Sequence, residues 1–494
     1  MGETADTEGQ VMTAFGTSGL RGLVADLTDQ VVYAHTRAFL RYLAEIGEFH
    51  AGDAVILGGD LRPSTPRMLA AAWAAVLAED GQPGFAGYLP SPALAFAGLT
   101  AGVPSLMVTG SHIPFDRNGI KFNRPHGELM KADEAGILRQ DMTVDAALFD
   151  DAGALRKPPV LPGPDPHWLA LYQQRYRDFF GADSLAGWRL GVYQHSGVAR
   201  DLLVTLLESL GAEVLPLGRS ADFVALDTEA LRPEDTVLAQ RAVAEHHLDA
   251  LLTTDGDADR PMIADHEGRW WRGDVLGILT AHALGAHTVV TPVSSNTALE
   301  LSGFFQEIRR TRIGSPYVIA AMQGALQEGQ MPVCGYEANG GFLLGSPLTR
   351  DGRTLAPLPT RDAILPMLTV LTAAKERRTP LAALLADLPP RFTASDRLQD
   401  FPTALSQRYL DAFRGKDKVA NLAAFNAAFG EIAGDAQHMD LTDGIRVTLA
   451  QGGVIHLRPS GNAPELRCYT EADSPEQAEA MLRKALQIMN GWRA

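Results

Sequence analysis

A serine, a histidine and a lysine lie close together in Thr109-Gly110-Ser111-His112-Ile113-Pro114 and the following Asn118-Gly119-Ile120-Lys121-Phe122. The Ser111 hydroxyl can act as a nucleophile or carry a phosphate, and His112 and Lys121 can handle protons or an anion. Ser and Gly after a strand more often just make a turn, so the chemistry depends on what else the chain supplies. Asp255-Gly256-Asp257-Ala258-Asp259-Arg260 supplies three carboxylates at alternate positions. On a tight loop all three can turn inward as hard oxygen ligands for a dication such as Mg2+; without a cation they repel one another. An EF-hand does not fit, because its sixth position is Arg260 in place of Gly and its twelfth is His266 in place of Glu. Arg458, Ser460, Gly461, Asn462 and Arg467 combine two guanidinium groups, a hydroxyl, an amide and open backbone, which suits a phosphate dianion. Glu337 and Asn339, ahead of Gly340 and Gly341, can hydrogen-bond neighbouring sugar hydroxyls, and Arg21 in Phe15–Gly22 can add charge to a backbone anion nest. One metal loop, one serine and a separate phosphate clamp together suggest phosphoryl transfer.

The elements that must position these groups are short apolar runs. Ser105–Val108, Leu251–Thr254 and Val454–Leu457 read as buried strands, each ending in one of the polar loops, and a third unit carries Thr288–Thr291 and then Pro332–Gly341. Ligands of open α/β sheets collect at such strand ends. Ala54–Leu57 is a further strand, followed by Asp60, Arg62, Ser64 and a helix predicted from Thr65 to Glu79 with Pro66 in its first turn. Strand and helix alternate, so the fold class is α/β. Trp188–Tyr193 reads as a strand ending at His195-Ser196-Gly197, with His195 as a turn or surface residue. The closing helix starts with Ser474 as N-cap, Pro475 next and Gln477 completing a capping box. Proline stretches at residues 157–166 and at Pro389-Pro390 read as linkers. The expected units are 1–157, 158–265, 266–388 and 389–494, converging on one cleft.

Composition narrows the class of partner. The 494 residues carry a net charge of -16, which disfavours nucleic-acid and membrane-surface binding. Two cysteines suggest no disulfide framework. The first residues have neither a signal core nor a transit pattern, and no apolar run approaches the ~20 residues of a membrane span. The expectation is a soluble cytoplasmic protein.

In order along the chain, these loops resemble those of the α-D-phosphohexomutase superfamily, the phosphomannomutases and phosphoglucomutases. Thr109–His112 with Pro114 and Asn118–Lys121 resembles the phosphoserine loop, and Asp255–Arg260 the metal loop. Glu337–Gly340 resembles the sugar loop, Arg458–Gly461 with Arg467 the phosphate loop, and Phe15–Gly22 the opening motif. The resemblance implies three related α/β domains and a smaller C-terminal α+β domain around a cleft. It implies a phosphorylated Ser111 bridged by Mg2+ to Asp255, Asp257 and Asp259, with Arg260 beside them. Lys121 becomes the proton acceptor and His112 a phosphate or proton partner. A hexose 6-phosphate and its 1-phosphate, mannose first and glucose or glucosamine next, interconvert through a hexose 1,6-bisphosphate, in a monomer or homodimer. A metal-dependent phosphatase and a non-catalytic sugar-phosphate sensor are the alternatives. Two departures stand out. Many members have His where this chain has Gly341, and that His is a candidate general acid. The phosphate loop reads Ser460-Gly461-Asn462-Ala463-Pro464 where Ser-Gly-Thr-Glu-Pro is usual.

Overall fold

The computed structural model describes residues 14–16, 19–415, 417–460 and 464–493. Within them, each of the four polar loops is the turn between two neighbouring strands that run antiparallel in one sheet. Ser105–Val108 returns as Arg117–Arg124, and Ala250–Thr254 returns as Pro261–Asp265. Val333–Tyr336 returns as Phe342–Leu344, and Val454–Pro459 as Leu466–Ala472. The alternation of strand and helix therefore breaks at the loops themselves. Asn118 to Phe122, read as the tail of a loop, belong to a strand in which Ile120 and Phe122 are buried. Successive side chains of a strand point to opposite faces, so Lys121 is turned away from that core.

Elsewhere the α/β expectation holds. In the first sheet, Gln82–Tyr88, Ala54–Gly59 and Ser105–Val108 are parallel neighbours, joined through the helices Thr65–Ala78 and Ser91–Ala101. Pro66 stands in the first turn of the former, where its missing N–H removes no helical hydrogen bond. Arg117–Arg124 and Gly19–Leu23 extend this sheet. The second sheet has the order Pro261–Asp265, Ala250–Thr254, Arg189–His195, Glu213–Arg219. The third runs Glu307–Thr311, Thr288–Pro292, Val333–Tyr336, Phe342–Leu344, Leu358–Asp362. The fourth is wholly antiparallel, with Lys418–Ala433 and Pro475–Asn490 against it. Ser474 caps the last helix by accepting the N–H of Gln477.

One apolar core runs through the first three sheets, joining Ile56 and Met107 to Leu190 and Val192 and to Val289 and Tyr336. The fourth sheet has its own core around Phe401, Phe425, Leu457 and Met489. Its seam with the third is polar. Arg391, directly after Pro389-Pro390, donates to Glu471 at 2.8 Å, and Asn296 donates to the Arg391 carbonyl at 2.9 Å. Ile313 N–H donates to Asp443 at 3.0 Å. Fused apolar cores move together, whereas a polar seam resembles an interface that can re-pack. Both proline stretches lie outside helices and strands. His195 is neither exposed nor in a surface turn: it is 1% exposed at a strand end, with Nε2 at 2.9 Å from the Thr254 carbonyl. The sheet interior needs a polar partner for that carbonyl next to the metal loop, and the imidazole supplies it.

Candidate active site

Ser111 sits in the left-handed region at φ 56 and is 1% exposed, a conformation that a non-glycine residue holds only when its surroundings impose it. The imposing group is Arg62. Its Nη1 donates to the carbonyls of Pro114 (2.6 Å) and Arg117 (3.0 Å), and its Nη2 to those of Ser111 (2.7 Å) and Ile113 (2.6 Å). Nε is held by Asp60 at 3.0 Å. Asp60 also accepts from the Thr109 hydroxyl, which in turn accepts the Ser111 N–H at 2.8 Å. The Phe223 ring covers the guanidinium at 4.2 Å. Gly110 is required here, since a Cβ would meet Arg62 Cζ at 2.6 Å.

Held in this way, the Ser111 hydroxyl donates to Asp255 Oδ2 at 2.7 Å, with His112 Nδ1 3.4 Å away. The metal loop is closed by Arg260 N–H on Asp255 Oδ1 and by Ala258 at φ 58. One oxygen from each of Asp255, Asp257 and Asp259 lies within 4.8 Å of the others. Lys121 Nζ donates to Asp257 Oδ2 and Asp259 Oδ2, both at 2.6 Å, and Ser91 Oγ donates to Asp257 Oδ2 at 2.6 Å. The second oxygens, Asp257 Oδ1 and Asp259 Oδ1, are buried without a hydrogen bond, the latter 3.6 Å from Arg260 Nε. Two buried carboxylate oxygens without a hydrogen bond, in a triad of aspartates whose oxygens lie this close, fit a hard dication.

Electrostatics follow from burial and from these pairings. Burial and the neighbouring Asp257 and Asp259 push the Asp255 carboxyl well up. Burial acts the same way on Asp257, but Lys121 outweighs it and holds that carboxyl low. Burial alone would lower the Lys121 ammonium; Asp257 and Asp259 hold it above its ordinary value. Burial, then Arg260 and Arg21, push His112 far down, so its imidazole is neutral. Burial and Arg260 bring Arg21 down to about 10, still a cation. Arg260 Nε stands 3.6 Å from Asp259 and 3.9 Å from Asp255, and Nε and Nη1 are buried without a hydrogen bond. A buried guanidinium with open donors beside a serine is suited to an anion on that serine.

Glu337 and Asn339 are buried in the sugar-loop turn, where Asn339 Oδ1 accepts Gly341 N–H at 3.0 Å. Glu337 accepts from Arg361 Nη1 at 3.0 Å, and Arg361 Nη2 reaches Asp259 at 2.8 Å. In the fourth sheet, Arg458 and Arg467 are direct cross-strand partners. Arg458 donates to Asp443 at 3.0 Å, Arg467 is 3.2 Å from Glu465, and Ser460 is buried beside them. Gly461 and Asn462, with Thr17 and Ser18 of the opening motif, lie outside the described residues. Tyr469, on the strand of Arg467, is in electrostatic reach of Glu229, and Glu229 is in reach of Arg260 and Glu337.

Sequence reasoning gave no role to Arg62, Ser91 or Arg361. Ser91 heads a helix with Pro92 behind it, and Arg361 stands at a strand end, the signal used for the other loops. Nothing in the letters marks Arg62 as buried.

Models of the phosphoglucomutase/phosphomannomutase family match the chain throughout: the three alpha/beta/alpha domains at residues 12–146, 171–268 and 272–392, and the C-terminal domain at 413–487. A phosphomannomutase of Sinorhizobium fredii is 42% identical over 481 residues, covering 96% of this chain and 98% of that protein. One from Salmonella muenchen is 43% identical, covering 94% and 93%. A phosphoglucosamine mutase of Desulforamulus reducens is 27% identical, covering 96% and 98%. Among solved structures, a phosphoglucomutase/phosphomannomutase family protein from Burkholderia thailandensis superposes with TM-score 0.71 at 20% identity, covering 97% of both chains. The N-acetylphosphoglucosamine mutase of Aspergillus fumigatus, solved with GlcNAc-6P and magnesium, has TM-score 0.59 at 13% identity, covering 99% and 97%.

Proposed function

Because the chain belongs to the phosphoglucomutase/phosphomannomutase family and is a phosphohexomutase, we propose that it interconverts mannose 6-phosphate and mannose 1-phosphate with Ser111 as phosphate carrier. One observation carries the reading. The strained Ser111 hydroxyl points at Asp255, 2.7 Å away, beside two more buried carboxylates with unpaired oxygens. Mannose is favoured because the relatives above 40% identity are phosphomannomutases, while the phosphoglucosamine mutase stands at 27%.

Asp255, Asp257 and Asp259, with the phosphate on Ser111, would hold Mg2+. The ion would supply neutralisation of charge at the phosphoryl group. Its identity is supported by the all-oxygen donor set and by the magnesium solved with the Aspergillus enzyme. Arg458, Ser460, Asn462 and Arg467 grip the sugar's existing phosphate, and Glu337 and Asn339 hold its hydroxyls. The free sugar hydroxyl attacks phosphorus, and the bond from phosphorus to Ser111 Oγ breaks as the new one forms. Lys121, an ammonium held above its ordinary pKa by Asp257 and Asp259, acts as a cation and not as the proton acceptor expected from the sequence. With Arg260 and Arg21 it offsets charge on the transferring oxygens, and the hydroxyl proton passes to the departing Ser111 Oγ. His112, neutral and 3.4 Å from Ser111 Oγ, is a hydrogen-bond partner for the phosphate. The hexose 1,6-bisphosphate then turns over in the cleft and returns its other phosphate to Ser111, so it serves as both intermediate and activator. We place the protein in the cytoplasm as a monomer or homodimer acting on small hexose phosphates, with neither nucleic acid nor membrane as partner. Its charge of -16 supports this, and no helix among the described residues is long and apolar enough to cross a membrane.

The test is an incubation with mannose 6-phosphate, Mg2+ and a trace of hexose 1,6-bisphosphate. Mannose 1-phosphate is the expected product; free phosphate alone, or no change, would defeat the assignment.

A further inference from the structure

Gly341 and Arg361 compete for one volume. A Cβ on Gly341 would meet Arg361 Cδ and Cγ at 2.7 Å and its Cβ at 2.9 Å, separations that real side chains do not show. The loop position that bears a histidine in many family members is therefore empty here because an arginine from the strand Leu358–Asp362 fills the space. That arginine is 7% exposed and pinned from both sides. Thr360, before it, donates to Glu128 of the first sheet unit. Asp362, after it, accepts the hydroxyls of Tyr172 (2.7 Å) and Tyr176 from the helix His167–Phe180. Between these anchors the guanidinium spans two chemical loops, with Nη1 on Glu337 at 3.0 Å and Nη2 on Asp259 at 2.8 Å. Its Nε is buried without a protein partner, a donor left for a substrate oxygen.

We infer that Arg361 is a positioning residue that fixes the Glu337 carboxylate for the sugar hydroxyls and ties it to the metal loop through Asp259. This deepens the phosphohexomutase reading and rests on it. A bidentate guanidinium holds two carboxylates at a set distance, which an ammonium cannot do. Sugar recognition and phosphoryl transfer then share one frame, and a side chain at 341 is excluded by the same arrangement.

The role has a signature that simple structural support lacks. Arg361 places a cation beside a metal-site carboxylate, so its removal should favour metal binding while harming sugar binding. For Arg361→Gln, calorimetric titration should show mannose 6-phosphate binding weakened about 10- to 100-fold, the scale of a lost charge-assisted hydrogen bond. Mn2+ binding without sugar, read by electron paramagnetic resonance, should be unchanged or several-fold tighter. Arg361→Lys should regain part of the sugar affinity. Glu337→Gln keeps the shape of the loop and should weaken sugar binding in the same way, so the inference remains testable if Arg361→Gln folds poorly in a thermal melt. Weakened Mn2+ binding in a folded Arg361→Gln protein, or sugar affinity within about threefold of wild type in Glu337→Gln, would overturn the inference. A wild type that binds the sugar phosphate without turning it over would defeat the assigned reaction and leave this comparison readable.

Discussion

Replacing Arg62 by Lys keeps the positive charge beside Asp60 but removes the fork that holds the Ser111 loop. The guanidinium satisfies five acceptors, one oxygen of Asp60 and the carbonyls of Ser111, Ile113, Pro114 and Arg117. An ammonium has three donors, so at least two carbonyls lose their partner. With the pair of side chains wholly buried, and about 1–3 kcal/mol for each unsatisfied buried group, the folded protein should lose about 2–6 kcal/mol. The lower half of that range applies if water reaches the Pro114 and Arg117 carbonyls, which border exposed residues. Urea denaturation followed by circular dichroism measures the loss, and hydrogen exchange across residues 109–117 shows where it falls. Because Ser111 depends on this support for its φ of 56, mutase turnover should fall by far more than global stability implies. Near-normal turnover with unchanged exchange in that loop would refute the argument that Arg62 imposes the serine's conformation.

Other outcomes follow from the same geometry. Chelation should abolish turnover and Mg2+ should restore it, because the buried Asp257 Oδ1 and Asp259 Oδ1 receive no hydrogen bond from the protein; Asp257→Asn should raise the Mg2+ concentration needed, measured by metal titration of activity. Arg458→Ala should weaken binding of both the 1-phosphate and the 6-phosphate by about 1.5–3 kcal/mol, as read by titration calorimetry; a loss confined to one isomer would mean that the clamp serves only one orientation of the substrate. Phosphorylation of Ser111 should persist in that variant, as intact-mass measurement would show.

The loops were legible because each follows an apolar run short enough to be a buried strand, and because alternate aspartates on a tight turn have few uses other than a cation. What the letters hid was the return strand. Ile120 and Phe122 alternate with Lys121 in the manner of a strand, but the stretch is short and begins with the turn-forming Asn118-Gly119. Arg62 and Arg361 escaped notice for another reason. An arginine is normally a surface residue, and only the fold brings four carbonyls around one and two carboxylates around the other. His195 failed in the same way, since its buried partner, the Thr254 carbonyl, is remote in sequence. The fusion of three sheets into one core, with the fourth attached through Arg391 and Asp443, is likewise a property of packing that local pattern does not carry.

The role of Ser111 can be measured by peptide mass mapping of the purified enzyme before and after addition of unlabelled mannose 6-phosphate. One phosphoryl group should map to Ser111, and a label placed on it should pass to the hexose phosphates on the timescale of a single turnover while Ser111 is phosphorylated again, whereas Ser111→Ala carries none and shows no mutase activity. Phosphate on another residue, a phosphoserine whose label the sugar does not take up, or an active Ser111→Ala protein would contradict it.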